Sequence, residues 1–262
     1  MDGLLIYLLL GVFVGVIAGL LGVGGGLIIV PVLIMLFQSF SFSADIITHL
    51  AVGTSLATIV LTSISSVRAH HLHGAVLWPV FWKLTPGIVV GTLLGALLAN
   101  AMSSALLKNF FGVFELAVAL QMGLSLRPNA SRMLPGRLGM SLAGSVIGIF
   151  SALVGIGGGS LTVPFLVWCN VTAQKAVATS SACGLPIAIA GSIGFMLTGW
   201  QNPHLPTGST GFVYWPAFIG IVLTSMLTAP VGARLAHRLP ANTLKRVFAV
   251  FLAILGIRML LT

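Results

Sequence analysis

Charged side chains are scarce in this sequence. Of 262 residues only 12 are basic and three are acidic, 6% in all, whereas about a quarter of an average soluble domain is charged. Apolar residues reach 58%, and the mean hydropathy is +1.14. This composition excludes an ordinary soluble domain, because most of these side chains must face lipid or one another. We therefore expect an integral membrane protein.

Cysteines and catalytic motifs are equally rare. Cys169 and Cys183 both lie in apolar surroundings and indicate neither a disulfide framework nor a metal site. His70, His71 and His73 share one loop, but no cysteine or carboxylate there completes a set of metal ligands. Because the sequence also lacks HExxH, GxSxG and CxxC motifs, we expect no enzyme, no metal and no cofactor.

The few charges are unbalanced, with a net charge of +9 and a pI of 10.9. A basic stripe with interleaved aromatic residues would indicate nucleic-acid binding, and the sequence contains none. The bases are expected in short loops on the cytoplasmic side of a membrane. We expect lipid and a small anion as partners and no nucleic acid, and the sequence leaves a homo-oligomer open.

A twelve-residue glycine motif occurs twice, 133 residues apart. Residues 22–33 read GVGGGLIIVPVL and residues 155–166 read GIGGGSLTVPFL, with seven of twelve positions identical. Each glycine costs a helix about 1 kcal/mol relative to alanine, so neither copy suits an unbroken helix. A matched pair of apolar segments interrupted by glycine and proline is typical of the binding sites of secondary transporters.

The repeat extends over most of the chain. The segment AVGTS at 51–55 corresponds to AVATS at 176–180, and residues 74–114 align without gaps on 211–251 with 14 of 41 positions identical. Each half contains five apolar runs, of which the second is too short to cross a bilayer core of about 30 Å. We predict a first transmembrane repeat at 1–126, a cytoplasmic linker at 127–137 and a second repeat at 138–262.

The distribution of the bases predicts how the halves are oriented. If the first two runs of each half make two crossings or one re-entrant hairpin, ten bases lie on one side of the membrane. Only Lys108 and Arg258 then lie on the other. If those runs make a single crossing, each side holds six bases. Because bases concentrate on the cytoplasmic side, the first arrangement is favoured. It predicts inverted repeats with both termini outside, and leaves open whether the short runs are re-entrant or spanning.

The triple-glycine stretches are candidate anion-binding elements. Glycines let backbone N–H groups approach a ligand closely, and a helix that starts there has unpaired N–H groups and a partial positive charge. Such a terminus binds anions without a basic side chain. The alternative is close helix packing through small residues. The candidate site residues are Gly24, Gly25, Gly26, Pro31, Thr54, Ser55, Gly157, Gly158, Gly159, Ser160, Pro164, Thr179 and Ser180.

The prolines and hydroxyls among these candidates have separate roles. Pro31 and Pro164 each remove one backbone hydrogen bond from a short helix, which is expected to kink the helix near the site. The four hydroxyls of the two AVxTS segments could donate to a bound solute. Alternatively, they bond only to the preceding turn of their own helices.

Glu115 is the one acid clearly inside an apolar run. An ionisable residue within a membrane is a functional candidate by default, and we consider a role in proton coupling. Its repeat counterpart is Leu252, so Glu115 is not part of the duplicated elements.

The motif GxGGGxxxVPxL in each half, followed by AVxTS, resembles the sulfite exporter TauE/SafE family of membrane permeases over almost the whole chain. The resemblance implies a multi-pass inner-membrane protein that moves small anions, notably sulfite, sulfonates and related organosulfur or carboxylate compounds. It does not fix the substrate, the direction or the coupling ion. The second half has Ser160 in place of Leu27 and Ala178 in place of Gly53, so the halves need not contribute equally.

We therefore predict an all-α polytopic membrane protein with two inverted repeats of about five helical segments each, including short or re-entrant helices at the glycine motifs. Its predicted function is secondary transport of a small anion, sulfite or an organosulfonate, by alternating access in which one repeat rocks against the other. Two alternatives remain. One is an anion channel that uses the same dipoles, and the other is a non-transporting membrane assembly protein.

Overall fold

The chain is almost entirely helical in the computed structural model, which describes residues 2–21, 25–124, 132–236 and 241–261. A hairpin of two-residue strands, β1 and β2, precedes the ninth helix. The prediction of an all-α polytopic protein is confirmed. The elements are α1 (Asp2–Leu21), α2 (Gly26–Ser39), α3 (Ile47–Leu72), α4 (Trp78–Ala101), α5 (Ser104–Gly123), α6 (Arg137–Val154), α7 (Gly159–Trp168), α8 (Ala173–Gly199), β1 (Ser209–Thr210), β2 (Val213–Tyr214), α9 (Trp215–Ala236) and α10 (Ala241–Leu261).

The lengths of the helices follow the lengths of the apolar runs. Of the described helices, α3, α4, α5, α6 and α8 are long and apolar enough to cross a membrane. In contrast, α2 has 14 residues and α7 has ten, which correspond to about 21 and 15 Å at 1.5 Å per residue. Neither spans a hydrocarbon core of about 30 Å. The second segment of each half is therefore short, as predicted.

Two helix pairs run parallel and correspond to each other under the repeat. A Cβ on Gly87 of α4 would overlap the backbone of Ser141 in α6, and one on Gly91 would overlap Ser145. Because the contact moves four residues toward the C-terminus in both helices, α4 and α6 are parallel, and their backbones are in contact. The counterpart pair α1 and α9 is parallel too. There Thr224 donates to the carbonyl of Leu8, and Thr228 to that of Val12.

Two other pairs run antiparallel, and each joins a helix to its own repeat counterpart. Gly53 of α3 lies beside Phe195 of α8, whereas Gly184 of α8 lies beside Ser63 of α3. The positions advance in opposite directions, so α3 and α8 are antiparallel. The same holds for α5 and α10, where Gly112 lies beside Gly256, and Gly123 beside Ala249.

Each short helix turns back along the helix before it. Arg132, ahead of α6, donates its backbone N–H to the carbonyl of Trp168 at the end of α7, at 3.2 Å, and its guanidinium lies 5.5 Å from the Trp168 ring centroid. In the first half, Tyr7 near the start of α1 contacts Phe40, which directly follows α2, with 6.0 Å between ring centroids. Each half thus begins with a helical hairpin whose bend contains the glycine motif.

Candidate anion-binding site

In both glycine motifs the residue directly before the short helix is a glycine in the left-handed conformation. Gly25 precedes α2 with φ 74°, and Gly158 precedes α7 with φ 76°. These residues are repeat counterparts, and their left-handed conformation is one that residues with a Cβ rarely adopt. Gly26 and Gly159 are the first residues of the two short helices. The motif therefore ends a hairpin turn and opens a helix N-terminus in each half. The predicted site residue Gly24 lies outside the described residues.

The two bends lie against each other. A Cβ built on Gly26 would lie 2.6 Å from the carbonyl oxygen of Gly155 and 3.1 Å from the Cα of Ile156. Ile59 of α3 lies beside both bends, since its side chain would approach a Cβ on Gly26 or Gly157 to 3.1 Å. The start of α2 therefore adjoins the bend that leads into α7, and a side chain at position 26 would push the halves apart.

Pro31 and Pro164 lie inside α2 and α7, five residues into each helix after its first residue. Pro31 is buried, whereas Pro164 is half-buried. This difference reflects the surroundings of the two helices. Helix α2 packs against α3 and α10, and α7 packs against α8 and α6. All residues from 25 to 31 are buried, but Gly159 and Ser160 are half-buried, so the second bend is the more accessible one.

The threonines of the two AVxTS segments join the halves. Thr54 Oγ1 accepts a hydrogen bond from the N–H of Tyr214 at 3.0 Å, and Thr179 Oγ1 accepts one from the N–H of Leu77 at 3.0 Å. Leu77 and Tyr214 are repeat counterparts, directly ahead of α4 and α9. Both threonines are fully buried. The two bonds are thus reciprocal, a role that the sequence reasoning missed.

The serines of the same segments differ from each other. Ser55 donates its hydroxyl to the carbonyl of Gly155 at 2.8 Å and so fixes the bend of the opposite half. Its counterpart Ser180 is equally buried, but its hydroxyl has no partner among the described residues. Ser151 and Thr162, which sequence reasoning did not select, are buried beside Gly158, and their hydroxyls also lack a hydrogen-bond partner among the described residues. The only sequence signal for them was that both positions carry a different type of residue in the first half.

Glu115 lies in another part of the bundle, between α5 and α10. It is fully buried, and both carboxylate oxygens lack a hydrogen-bond partner among the described residues. The flanking residues Gly112 and Leu116 contact Gly256 of α10. The structure therefore assigns Glu115 to a different helix pair from the glycine bends, which agrees with its absence from the repeat.

Short helices that begin at glycine bends packed against each other resemble the discontinuous helices of membrane transporters. The sequence profile of the family Sulfite exporter TauE/SafE matches residues 7–259, and the chain belongs to this family of membrane transporters. It is 36% identical over 261 residues to a "Probable membrane transporter protein" of Haemophilus influenzae, with 98% of each chain covered. It is 28% identical to the "Probable membrane transporter protein MJ0441" of Methanocaldococcus jannaschii, with 97% and 94% covered. No solved structure matches the chain significantly.

The reciprocal threonine bonds predict a stability effect. Thr54→Val or Thr179→Val keeps the side-chain volume but removes the acceptor of a part-buried backbone N–H, which costs about 0.5–1.5 kcal/mol. We expect both variants to unfold at a lower temperature than the parent protein in detergent. Thr198→Val is the matched control, because that hydroxyl bonds only within its own helix, to the carbonyl of Gly194 at 2.9 Å. Equal unfolding temperatures for all three variants would contradict the role of these bonds.

Proposed function

We propose that this protein is a secondary transporter of a small oxyanion in the inner membrane, with sulfite or an organosulfonate as its substrate. The observation that carries the proposal is the pair of left-handed bends at Gly25 and Gly158, each of which opens a helix N-terminus. These termini present N–H groups without intrahelical acceptors. The family name, which mentions sulfite, supports this choice of anion.

Peptide dipoles are the main source of positive potential near the bends. In the five long apolar helices, every basic residue lies within six residues of a helix end. The middle of each span therefore contains no fixed cation among the described residues. Because unpaired N–H groups and the helix dipole supply about half a positive charge at each N-terminus, an anion is attracted there without a basic side chain. The basic residues are Arg68, Lys83, Lys108, Arg137 and Lys175.

We also propose that the two halves are inverted. The antiparallel contacts of α3 with α8 and of α5 with α10 support this arrangement, because each pair consists of repeat counterparts. An axis perpendicular to the helices then relates the halves, and this axis lies in the membrane plane if the long helices span the bilayer. The hairpins α1–α2 and α6–α7 enter from opposite sides, so that one repeat can rock against the other.

An aromatic cluster closes one end of the bundle. Its ring centroids are 5.2 Å apart for Phe37 and Phe42, 5.4 Å for Phe42 and Tyr214, and 6.0 Å for Tyr7 and Tyr214. The α6–α7 hairpin comes from the opposite end, near Arg132, and its bend is the more accessible one. Since positive residues concentrate on the cytoplasmic side, we propose that this conformation is closed toward the outside. This is one of the two states that alternating access requires.

The proposed orientation places both termini outside. A reporter enzyme that is active only in the cytoplasm is therefore expected to be inactive when fused after Thr262. The same reporter fused after Gly123, at the end of α5 that leads into the proposed cytoplasmic linker, is expected to be active and serves as the positive control. Activity of the fusion after Thr262 would refute the inverted topology.

The proposed transport predicts saturable, uphill uptake. In liposomes that contain the purified protein, a proton gradient should drive accumulation of radiolabelled sulfite. Gly158→Ala should reduce uptake at least tenfold, because the left-handed conformation disfavours alanine and its Cβ would overlap Ile187. Gly123→Ala is the matched control, since a Cβ there would lie in ordinary van der Waals contact, 3.6 Å from the Cβ of Ala249.

The outcomes of this uptake experiment separate the alternatives. Uptake that never exceeds electrochemical equilibrium and does not saturate would identify an anion channel. No flux from correctly folded protein would favour an assembly protein whose glycines serve packing. Unchanged uptake in Gly158→Ala would refute the glycine site while leaving transport intact.

Glu115 is the candidate for proton coupling. Glu115→Gln keeps the size of the side chain but cannot exchange a proton, so we expect loss of uptake driven by a pH gradient with sulfite binding retained. Asp45→Asn is the control, because Asp45 is exposed in the loop between α2 and α3. Normal uptake by Glu115→Gln at every pH would exclude this role.

A further inference from the structure

Two buried hydroxyls flank the N-terminus of α7. Ser151 lies in the last turn of α6 and Thr162 in the first turn of α7. A Cβ built on Gly158 would lie 3.3 Å from Thr162 Oγ1 and 3.6 Å from Ser151 Oγ. Both hydroxyls therefore lie against the left-handed residue at which the anion-attracting helix begins.

Neither hydroxyl is satisfied within the described part of the chain. Ser151 and Thr162 are each 0% exposed, and neither side-chain oxygen has a hydrogen-bond partner there. An unpaired buried hydroxyl costs about 1–3 kcal/mol, and native structures contain few such groups. The hydroxyls of Tyr7, Thr92 and Ser180 also lack a partner among the described residues, but Ser151 and Thr162 are the pair that lies beside Gly158. Two further buried hydroxyls are paired. Thr48 bonds to Ser104, and Ser192 bonds to the carbonyl of Ala188.

The internal repeat shows that the bend itself does not require these hydroxyls. An offset of 133 residues aligns the two glycine motifs and also aligns the glycines at which α1 packs with those at which α6 packs. With the same offset, Ser151 corresponds to Ala18 and Thr162 to Ile29. The half-buried Ser160 likewise corresponds to Leu27. A need for hydroxyls in the backbone bend would apply to both halves, because Gly25 and Gly158 have the same conformation.

We infer that the second half alone binds the anion, and that Ser151 and Thr162 donate hydrogen bonds to it beside the first amides of α7. The inference rests on the proposed function and adds that the site is asymmetric. The start of α2, where Gly25 and Gly26 are buried and Gly26 lies against Gly155 and Ile156, serves as a packing partner. Hydroxyls on two helices and amides on one of them suit an anion with several acceptor oxygens. Sulfite and sulfonates have three such oxygens, whereas chloride offers none.

The test measures binding to the purified full-length protein in detergent by titration calorimetry, with sodium sulfite and sodium methanesulfonate as probes and sodium chloride for comparison. Ser151→Ala and Thr162→Val should each weaken binding of both probes about tenfold or more, since each removes a hydrogen bond to a charged group. Without anion, both variants should unfold at the same temperature as the parent protein or a higher one, because an unpaired buried hydroxyl has been removed.

Ser192→Ala is the matched control, since this buried hydroxyl bonds to the carbonyl of Ala188 at 2.6 Å and should leave anion affinity unchanged. If the parent protein binds the probes and both site variants bind them as tightly as Ser192→Ala does, the inference is overturned and the proposed function stands. Lower unfolding temperatures with unchanged affinity would show a structural role and would also overturn it. If the parent protein binds none of the anions, the inference and the proposed function both fail.

Discussion

The structure depends on a backbone constraint that only glycine satisfies easily. In hydrocarbon every backbone N–H needs a partner, and a helix that begins inside the bundle leaves its first N–H groups without intrahelical acceptors. Gly25 and Gly158 make such a beginning feasible, because both hold a left-handed conformation directly before a helix. The close approach of Gly26 to Gly155 then places the two bends side by side. We propose that the first N–H groups of these helices attract the anion.

Hydrogen bonds between the halves keep these bends in register. Ser55 of the first half holds Gly155 of the second, and the bonds from Tyr214 to Thr54 and from Leu77 to Thr179 are reciprocal. All three use side chains of the long helices α3 and α8, which cross antiparallel at the centre. The proposed rocking of one half against the other must therefore keep or exchange these bonds.

The fold was predictable where a local requirement determines the residue type. Gly25 and Gly158 need a conformation that favours glycine, and the helices that follow them are apolar because they pack inside the bundle. The threonine bonds were not predictable, because their donors are backbone N–H groups 102 and 160 residues away, and a backbone N–H carries no residue-type signal. Thr162 was missed for the opposite reason. It marks a departure from the repeat, and our reading of the sequence relied on what the halves share.

The central claim is that an oxyanion binds at the N-terminus of α7 through neutral donors. Selenite is a close analogue of sulfite, and its selenium can be located by anomalous diffraction from crystals grown with it. The account predicts an anomalous peak within hydrogen-bonding distance of the first amides of α7, beside Gly158 and Thr162. A peak only at basic side chains near the helix ends, such as Arg68 or Arg137, would contradict it.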